Sequence, residues 1–224
     1  MHKQYRPAEI EAESFRIITE ELGQMGKRLP PEYASVILRT IHTTADFSYV
    51  DNLFFSDHIM ETARKALLQG SRIVTDTNMA LAGISKAALH KLGGDVICHM
   101  ADADVAQEAA RRQVTRAMVS MEKTVLAGED LIYVIGNAPT ALIRVVELAQ
   151  EGRICPRFVI GAPVGFVHVE EAKELLIASG IPCIVPRGRK GGSNVAAAII
   201  NALLYETAGR KIEEAGRDGD TKTQ

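Results

Sequence analysis

The stretch "LIYVIGNAPTALIRVVELAQEGRICPRFVIGAPVGF", residues 131–166, decides the fold. It opens with an apolar, Val/Ile-rich run that stops at Gly136, turns through Asn137, Ala138 and Pro139, and continues as a helical pattern over 139–151. A second run, 157–161, stops at Gly161 in the same way and turns through Ala162, Pro163, Val164 and Gly165. Short runs that are apolar nearly throughout and bounded by Gly, Pro or Asp are the signature of parallel strands buried on both faces. A strand, a helix and a second strand of this kind form one crossover unit of an α/β sheet.

The same signature recurs outward in both directions. "RIVTD" (72–76), "DVICHM" (95–100) and "PCIVP" (182–186) bring the strand count to five, and helical patterns cover 103–123, 170–179 and 192–206. The N-terminal third reads as helical. "LPPEYASVILRTIHTT" has Pro30 and Pro31 in its first turn, then Tyr33, Val36, Ile37 and Ile41 at helical spacing, while "SDHIMETARKALLQG" is capped by Ser56 or Asp57 and stops at Gly70. The reading is an α/β fold with five parallel strands and extra N-terminal helices, in one domain over 1–208. A polar tail, 209–224, has almost no apolar residues and is expected to be disordered.

Composition narrows the function. A chain of 224 residues with 46% hydrophobic and 24% charged residues buries ample apolar surface as a single large domain. A formal net charge of -2 argues against nucleic acid as a partner, so any anionic ligand must be held by local positive groups. Cys98, Cys155 and Cys183 are far apart and include no Cys-x-x-Cys pair, which reads as buried thiols in a reducing compartment and gives no zinc site. Residues 1–15 have no signal-peptide core, and the longest apolar segment, "VAAAIINALLY", contains Asn201 and is too short to span a bilayer. A soluble, cytoplasmic protein without a membrane partner is expected.

In an open α/β sheet, ligands bind in the crevice outside the carboxyl ends of the strands. Helix starts after Gly136 and Gly161 offer free backbone N–H groups there, suited to carboxylate or phosphate. Taken singly, such a Gly/Pro turn is more often plain punctuation. A third turn adds charge: in "PRGRKGGSN", Arg187, Arg189 and Lys190 precede Gly191, Gly192 and Ser193 at the start of the last helix. The phosphate-loop ending and the G-x-G-x-x-G fingerprint are both absent, which points to an anion other than a nucleotide.

The stretch "LRTIHTTADF" (38–47) holds the candidate for proton chemistry. Arg39 and His42 are three residues apart on one helix face, and Asp46 joins them if the helix persists one more turn. Imidazole exchanges protons near neutrality, a carboxylate neighbour can fix its tautomer, and an arginine can clamp an acid. The bland alternative is a helix-end histidine that satisfies the final carbonyls. Among the other histidines, His2 is terminal, His58 and His90 lie in amphipathic helices, and His99 beside Cys98 points to the opposite face of its strand. His168, at a helix start, ranks second to His42.

Seven ordered segments then carry a resemblance: "ESFRII", "RTIHTTADF", "TDTNMALAGISK", "TRAMVSM", "VIGNAPTAL", "GAPVGFV" with "EAKE", and "GRKGGSNVAAAIINALLY". Together they resemble the precorrin-8X methylmutase (precorrin isomerase) family, over most of the chain. The resemblance implies a flavodoxin-like α/β/α sandwich and a homodimer with active sites near the subunit interface. It implies migration of a methyl group from C-11 to C-12 of a corrinoid carrying several carboxylates, with no metal or organic cofactor. The wording is more similar to the branch acting on cobalt-precorrin-8, which gives cobyrinic acid, than to the metal-free branch, which gives hydrogenobyrinic acid. By position, the general acid/base falls on His42 and substrate contacts fall on Ser14, Arg39, Arg116, Asn137, Arg189 and Ser193, with Lys190 a further candidate. His168 departs from the family pattern, in which a small residue follows "GFV". The competing classes are a non-enzymatic tetrapyrrole carrier, which needs no imidazole at the ring, and a hydrolase or lyase, for which there is no G-x-S-x-G elbow and no Cys near a suitable His.

Overall fold

A computed structural model describes residues 7–127 and 131–209, so the expected polar tail and His2 lie outside the described residues apart from Gly209. The N-terminal part comprises α1 (Pro7–Gln24), α2 (Ala34–Thr44), α3 (Tyr49–Asn52), β1 (Leu53–Phe55) and α4 (Ile59–Leu68). There follow β2 (Ile73–Thr75), α5 (Asn78–Gly83), α6 (Lys86–Lys91), β3 (Val96–Ile97), α7 (Ala103–Arg112) and α8 (Arg116–Lys123). The chain then alternates through β4 (Ile132–Ile135), α9 (Pro139–Gln150), β5 (Phe158–Gly161), α10 (Val169–Ala178), β6 (Cys183–Pro186) and α11 (Ser193–Thr207).

One sheet carries all six strands in the order β1-β6-β5-β4-β2-β3. The five strands read from sequence pair in parallel, and β2 lies between β3 and β4. This is the flavodoxin-like order, with its reversal between β2 and β4. The sixth strand corrects the expected count of five. Leu53, Phe54 and Phe55 pair antiparallel with Pro186, Val185 and Ile184. Three residues at the end of a helical region are too few to show a period of their own.

Strand side chains alternate between two cores, as a pleated sheet requires. Ile132, Val134, Phe158 and Ile160 face a cluster built with α1, α2, α4 and α11, whereas Tyr133, Ile135, Val159 and Val185 face one built with α8, α9 and α10. The result is a three-layer α/β/α sandwich.

Several local expectations are corrected by side-chain hydrogen bonds that compete with the backbone pattern. The single helix expected over 103–123 is two, because Gln113 adopts a left-handed conformation (φ 56°) and the Thr115 hydroxyl accepts from Met118 N to start α8. Neither Ser56 nor Asp57 caps α4; Ser56 Oγ accepts from Cys183 N at 2.9 Å and ties the end of β1 to β6, while His58 occupies the cap position. Pro30 and Pro31 precede α2 rather than forming its first turn. Of the thiols expected to be buried, Cys183 is, Cys98 is half-buried and Cys155 is exposed.

Two packing contacts position the site. Ser35, at the start of α2, bonds Glu206, near the end of α11, at 2.6 Å, so the two helices run antiparallel and the end of α2 lies beside the start of α11. At that start, Gly136 closes β4 against α11 so tightly that a Cβ would sit 2.7 Å from Ser193 Cα. Gly136→Ala is therefore expected to lower stability by about 1–3 kcal/mol, read as a lower urea midpoint with an unchanged slope.

Candidate active site

The reversal point between β2 and β4 is occupied by a carboxylate. Asp76 is 0% exposed, and its oxygens accept from Gly136 N (2.8 Å), Asn137 N (2.8 Å) and Ala138 N (2.7 Å). Burial pushes the Asp76 carboxyl above the usual carboxylate range, against the pull of the three donors. Three converging N–H groups are the complement of a carboxylate's two acceptor oxygens. The three donors of the turn ahead of α9 are thus already used, which corrects the expectation that this turn binds an external acid through them. Next to Asp76, Thr77 caps α5 and its hydroxyl lies 2.8 Å from Ser193 Oγ. Ser193 is buried in this contact, whereas the Asn137 side chain is exposed at the rim.

The start of α11 is different. Its N-cap is Gly192 (φ 122°), no side chain caps it, and Gly192 N is anchored on Ala162 O at 2.9 Å. An uncapped helix start beside a basic loop suits an anion. Within that loop, Arg189 and Lys190 are exposed. Arg189 pairs with Glu170 (3.1 Å) and lies over the Phe166 ring (5.5 Å), and Lys190 pairs with Asp46 (2.5 Å) and Ser48 (2.9 Å). Below it lies Lys173, 0% exposed, whose Nζ donates to Gly188 O and Lys190 O, both at 2.7 Å. Burial pulls the Lys173 ammonium down to about 8.

His42 sits exposed in the last turn of α2. Its Nδ1 lies 2.6 Å from Ser14 Oγ of α1, and its ring stands edge-on to Phe15, with centroids 5.6 Å apart. α2 ends at Thr44, and Ala45 adopts a left-handed cap (φ 53°). The chain therefore turns before Asp46, which pairs with Lys190 and accepts from Ser48 N instead of joining the histidine. The neighbour at the imidazole is a serine hydroxyl and not the carboxylate considered from spacing. Arg39, one turn earlier, bonds Glu11 at 2.6 Å and lies between the rings of Phe15 (5.5 Å) and Tyr205 (4.6 Å). Arg116 begins α8 next to Thr115, whose hydroxyl lies 2.9 Å from that of Thr140 in the first turn of α9. Arg116, exposed, thus starts α8 beside the first turn of α9. His168 opens α10 in a left-handed conformation and is exposed. Among the described residues, no group of three or more His, Cys, Asp or Glu side chains is arranged to hold a metal ion. Within the same residues, no helix is long and apolar enough to cross a membrane.

Residues 9–206 match the sequence pattern of the precorrin-8X methylmutase (CbiC) family. The chain belongs to the precorrin-8X methylmutase family. It is an isomerase of cobalamin biosynthesis. The matched span contains every candidate site residue, from Ser14 to Ser193. Within the family, the chain is similar to cobalt-precorrin-8 methylmutase of Salmonella typhimurium, 42% identical over 209 residues that span 92% of this chain and 98% of that one. The corresponding protein of Priestia megaterium is 40% identical over 198 residues, spanning 88% and 87%. Precorrin-8X methylmutase of Pseudomonas aeruginosa is 37% identical over 199 residues, spanning 88% and 94%. The crystal structure of precorrin-8x methyl mutase from Thermus thermophilus superposes with a TM-score of 0.81 at 37% identity, covering 90% of this chain and 96% of that one.

Asp76 and Lys173 were missed as individual residues, although both lie in segments that carry the resemblance. Each had a signal. Asp76 ends an apolar strand, and Lys173 stands in the apolar stripe Val169, Ala172, Lys173, Leu176, where i, i+3, i+4 and i+7 face the core.

Asp76→Asn places an amide N–H2 against backbone N–H donors, so a loss of about 1–3 kcal/mol for each donor left unpaired is expected on chemical denaturation. For Lys173, with its folded pKa pulled from 10.5 to about 8, the unfolded chain holds more protons between those values, and stability rises with pH in that window. The native chain should therefore gain unfolding free energy relative to Lys173→Met as pH rises from about 8 toward 10.5, as checked by urea titrations at both ends.

Proposed function

We propose that this chain moves a methyl group from C-11 to C-12 of cobalt-precorrin-8, or of metal-free precorrin-8X, giving cobyrinic or hydrogenobyrinic acid, with His42 as general acid and base. The relatives at 42% and 40% identity are named for the cobalt substrate and the one at 37% for the metal-free one, which favours the cobalt-containing ring. The observation that carries the assignment of His42 is its 2.6 Å contact with Ser14 at an exposed imidazole. With Nδ1 engaged by the hydroxyl, Nε2 remains for the substrate. A hydroxyl both donates and accepts, so Ser14 can stay bound to the ring through a protonation cycle.

In that cycle the imidazolium donates Nδ1–H to Ser14 and Nε2–H to a corrinoid ring nitrogen near the migrating methyl. Electron density is drawn through the conjugated system, the methyl shifts to the adjacent carbon within the same molecule, and the proton returns to Nε2. The rest of the crevice supplies binding. Phe166 (83% exposed), Val167 (73%) and Met79 (71%) offer apolar surface to the macrocycle. The acid groups of its fringe meet Arg189, Lys190, Arg116, the Asn137 amide and the open start of α11 at Ser193. Arg39, held by Glu11, completes the set from the α2 side. Charge-assisted hydrogen bonds contribute about 1.5–3 kcal/mol each. Four match the roughly 8 kcal/mol of micromolar binding before ordering is subtracted, so ring burial contributes as well. The chain acts in the cytoplasm as a homodimer, with Ile10 and Ile17, exposed on α1 on either side of Ser14, available to the second copy.

His42→Ala is expected to lower turnover by about 10²- to 10⁴-fold while the dissociation constant for the corrinoid product changes less than about threefold. Single-turnover absorption spectroscopy with the cobalt and metal-free substrates, beside an absorbance titration of product, reads both. Native-like turnover in this variant would remove His42 from the chemistry.

A further inference from the structure

The "EAKE" segment has no part in the chemistry above, yet three side chains from this region of α10 reach the basic loop. Glu170 pairs with Arg189 at 3.1 Å, Glu174 approaches Arg187 at 3.7 Å, and Lys173 donates to Gly188 O and Lys190 O. The carbonyl between those two, Arg189 O, accepts from Gly165 N at 3.3 Å. Three consecutive carbonyls of the loop, 188 to 190, are therefore taken up by donors from α10 and from the 162–168 turn. This removes acceptor oxygens from the face an acid group would approach and leaves the Arg189 and Lys190 side chains exposed there. The two glutamate pairs are solvent-exposed, and such pairs contribute little. Lys173, by contrast, is fully buried, and without its donors two loop carbonyls would lose their partner.

We propose that Lys173 is a positioning residue for corrinoid binding: from beneath the loop it draws in the carbonyls of Gly188 and Lys190 and so holds Arg189 and Lys190 toward the crevice. This rests on the proposed function for the identity of the ligand, but the effect on the loop does not. Both carbonyls need only one N–H each, and an amine supplies two even when neutral, so the clamp does not depend on the ammonium charge.

The test compares the native chain with Lys173→Met, which keeps most of the side-chain volume and removes the donors, and with Glu174→Gln, whose partner Arg187 is not among the proposed ligand contacts, as an exposed-pair control. Cobyrinic acid is the binding probe. Lys173→Met is expected to raise both its dissociation constant and the KM for substrate at least about tenfold, with kcat falling less than about threefold, while Glu174→Gln stays within about threefold on all three. Amide hydrogen exchange should accelerate in 187–192 and remain unchanged in β4 and β5. Unchanged affinity together with unchanged loop exchange overturns the proposal, as does exchange that rises equally in the loop and the central strands, which would mark Lys173 as a general core residue. If the native chain neither binds cobyrinic acid nor isomerises substrate, the proposed function fails, and the exchange measurement still decides whether Lys173 holds the loop. Should Lys173→Met not fold, Lys173→Gln, whose amide falls short of the second carbonyl, is read by the same measurements with a rise of at least about threefold in the dissociation constant expected; no rise overturns the proposal.

Discussion

The carboxylate of Asp76, with three N–H groups converging on two oxygens, holds the end of β2 against the start of α9 at the point where the strand order reverses. Thr77, the next residue, extends the connection to Ser193 and hence to α11. Two adjacent residues thus join three of the elements that surround the crevice. Because α11 also packs along α2, this junction is linked through α11 to the helix that carries His42. The junction also separates the two helix starts: the donors ahead of α9 are satisfied internally, whereas α11 begins without a side-chain cap.

Three of the four candidate rim cations share one further property. Arg39 is held by Glu11, Arg189 by Glu170 and Lys190 by Asp46. Each already has a carboxylate from its own chain, and under the proposed function an arriving acid group must exchange with it or bond alongside. The electrostatic gain per contact is then smaller than for a bare cation, and selection shifts toward the spacing of several acid groups at once and toward the fit of the apolar ring. Pre-paired cations also have less freedom to lose when ligand binds.

Much of this was legible in the residues. Five strands buried on both faces announce themselves as Val/Ile runs, and glycine-ended turns mark the carboxyl edge. The helix-end placement of His42 followed from spacing alone, whereas its partner came from α1, 28 residues away in sequence. Position-by-position resemblance had already singled out Ser14 for a different role, contact with substrate. What spacing could not give depended on backbone reversals and on distant pairs. Ala45 turns the chain so that Asp46 meets Lys190, a contact across 144 residues. Asp76 and Lys173 defy the usual exclusion of charge from interiors, and their partners are backbone groups, which carry no side-chain signal. The break between α7 and α8 rests on one left-handed Gln113 and the Thr115 cap, each a local event in an otherwise continuous helical pattern.

The antiparallel strand β1 has a consequence beyond the crevice. A wholly parallel sheet would end at β6 with a row of unpaired amides and carbonyls, open to templating by any extended segment of another molecule. β1 takes up that row over three residues, Arg187 N continues it onto Asn52 O at 2.8 Å, and the Arg187 guanidinium lies over the Phe54 ring. A strand so short, flanked by charge, is a poor seed for further strand addition, so the chain's own N-terminal region shields this margin from fibrillar growth.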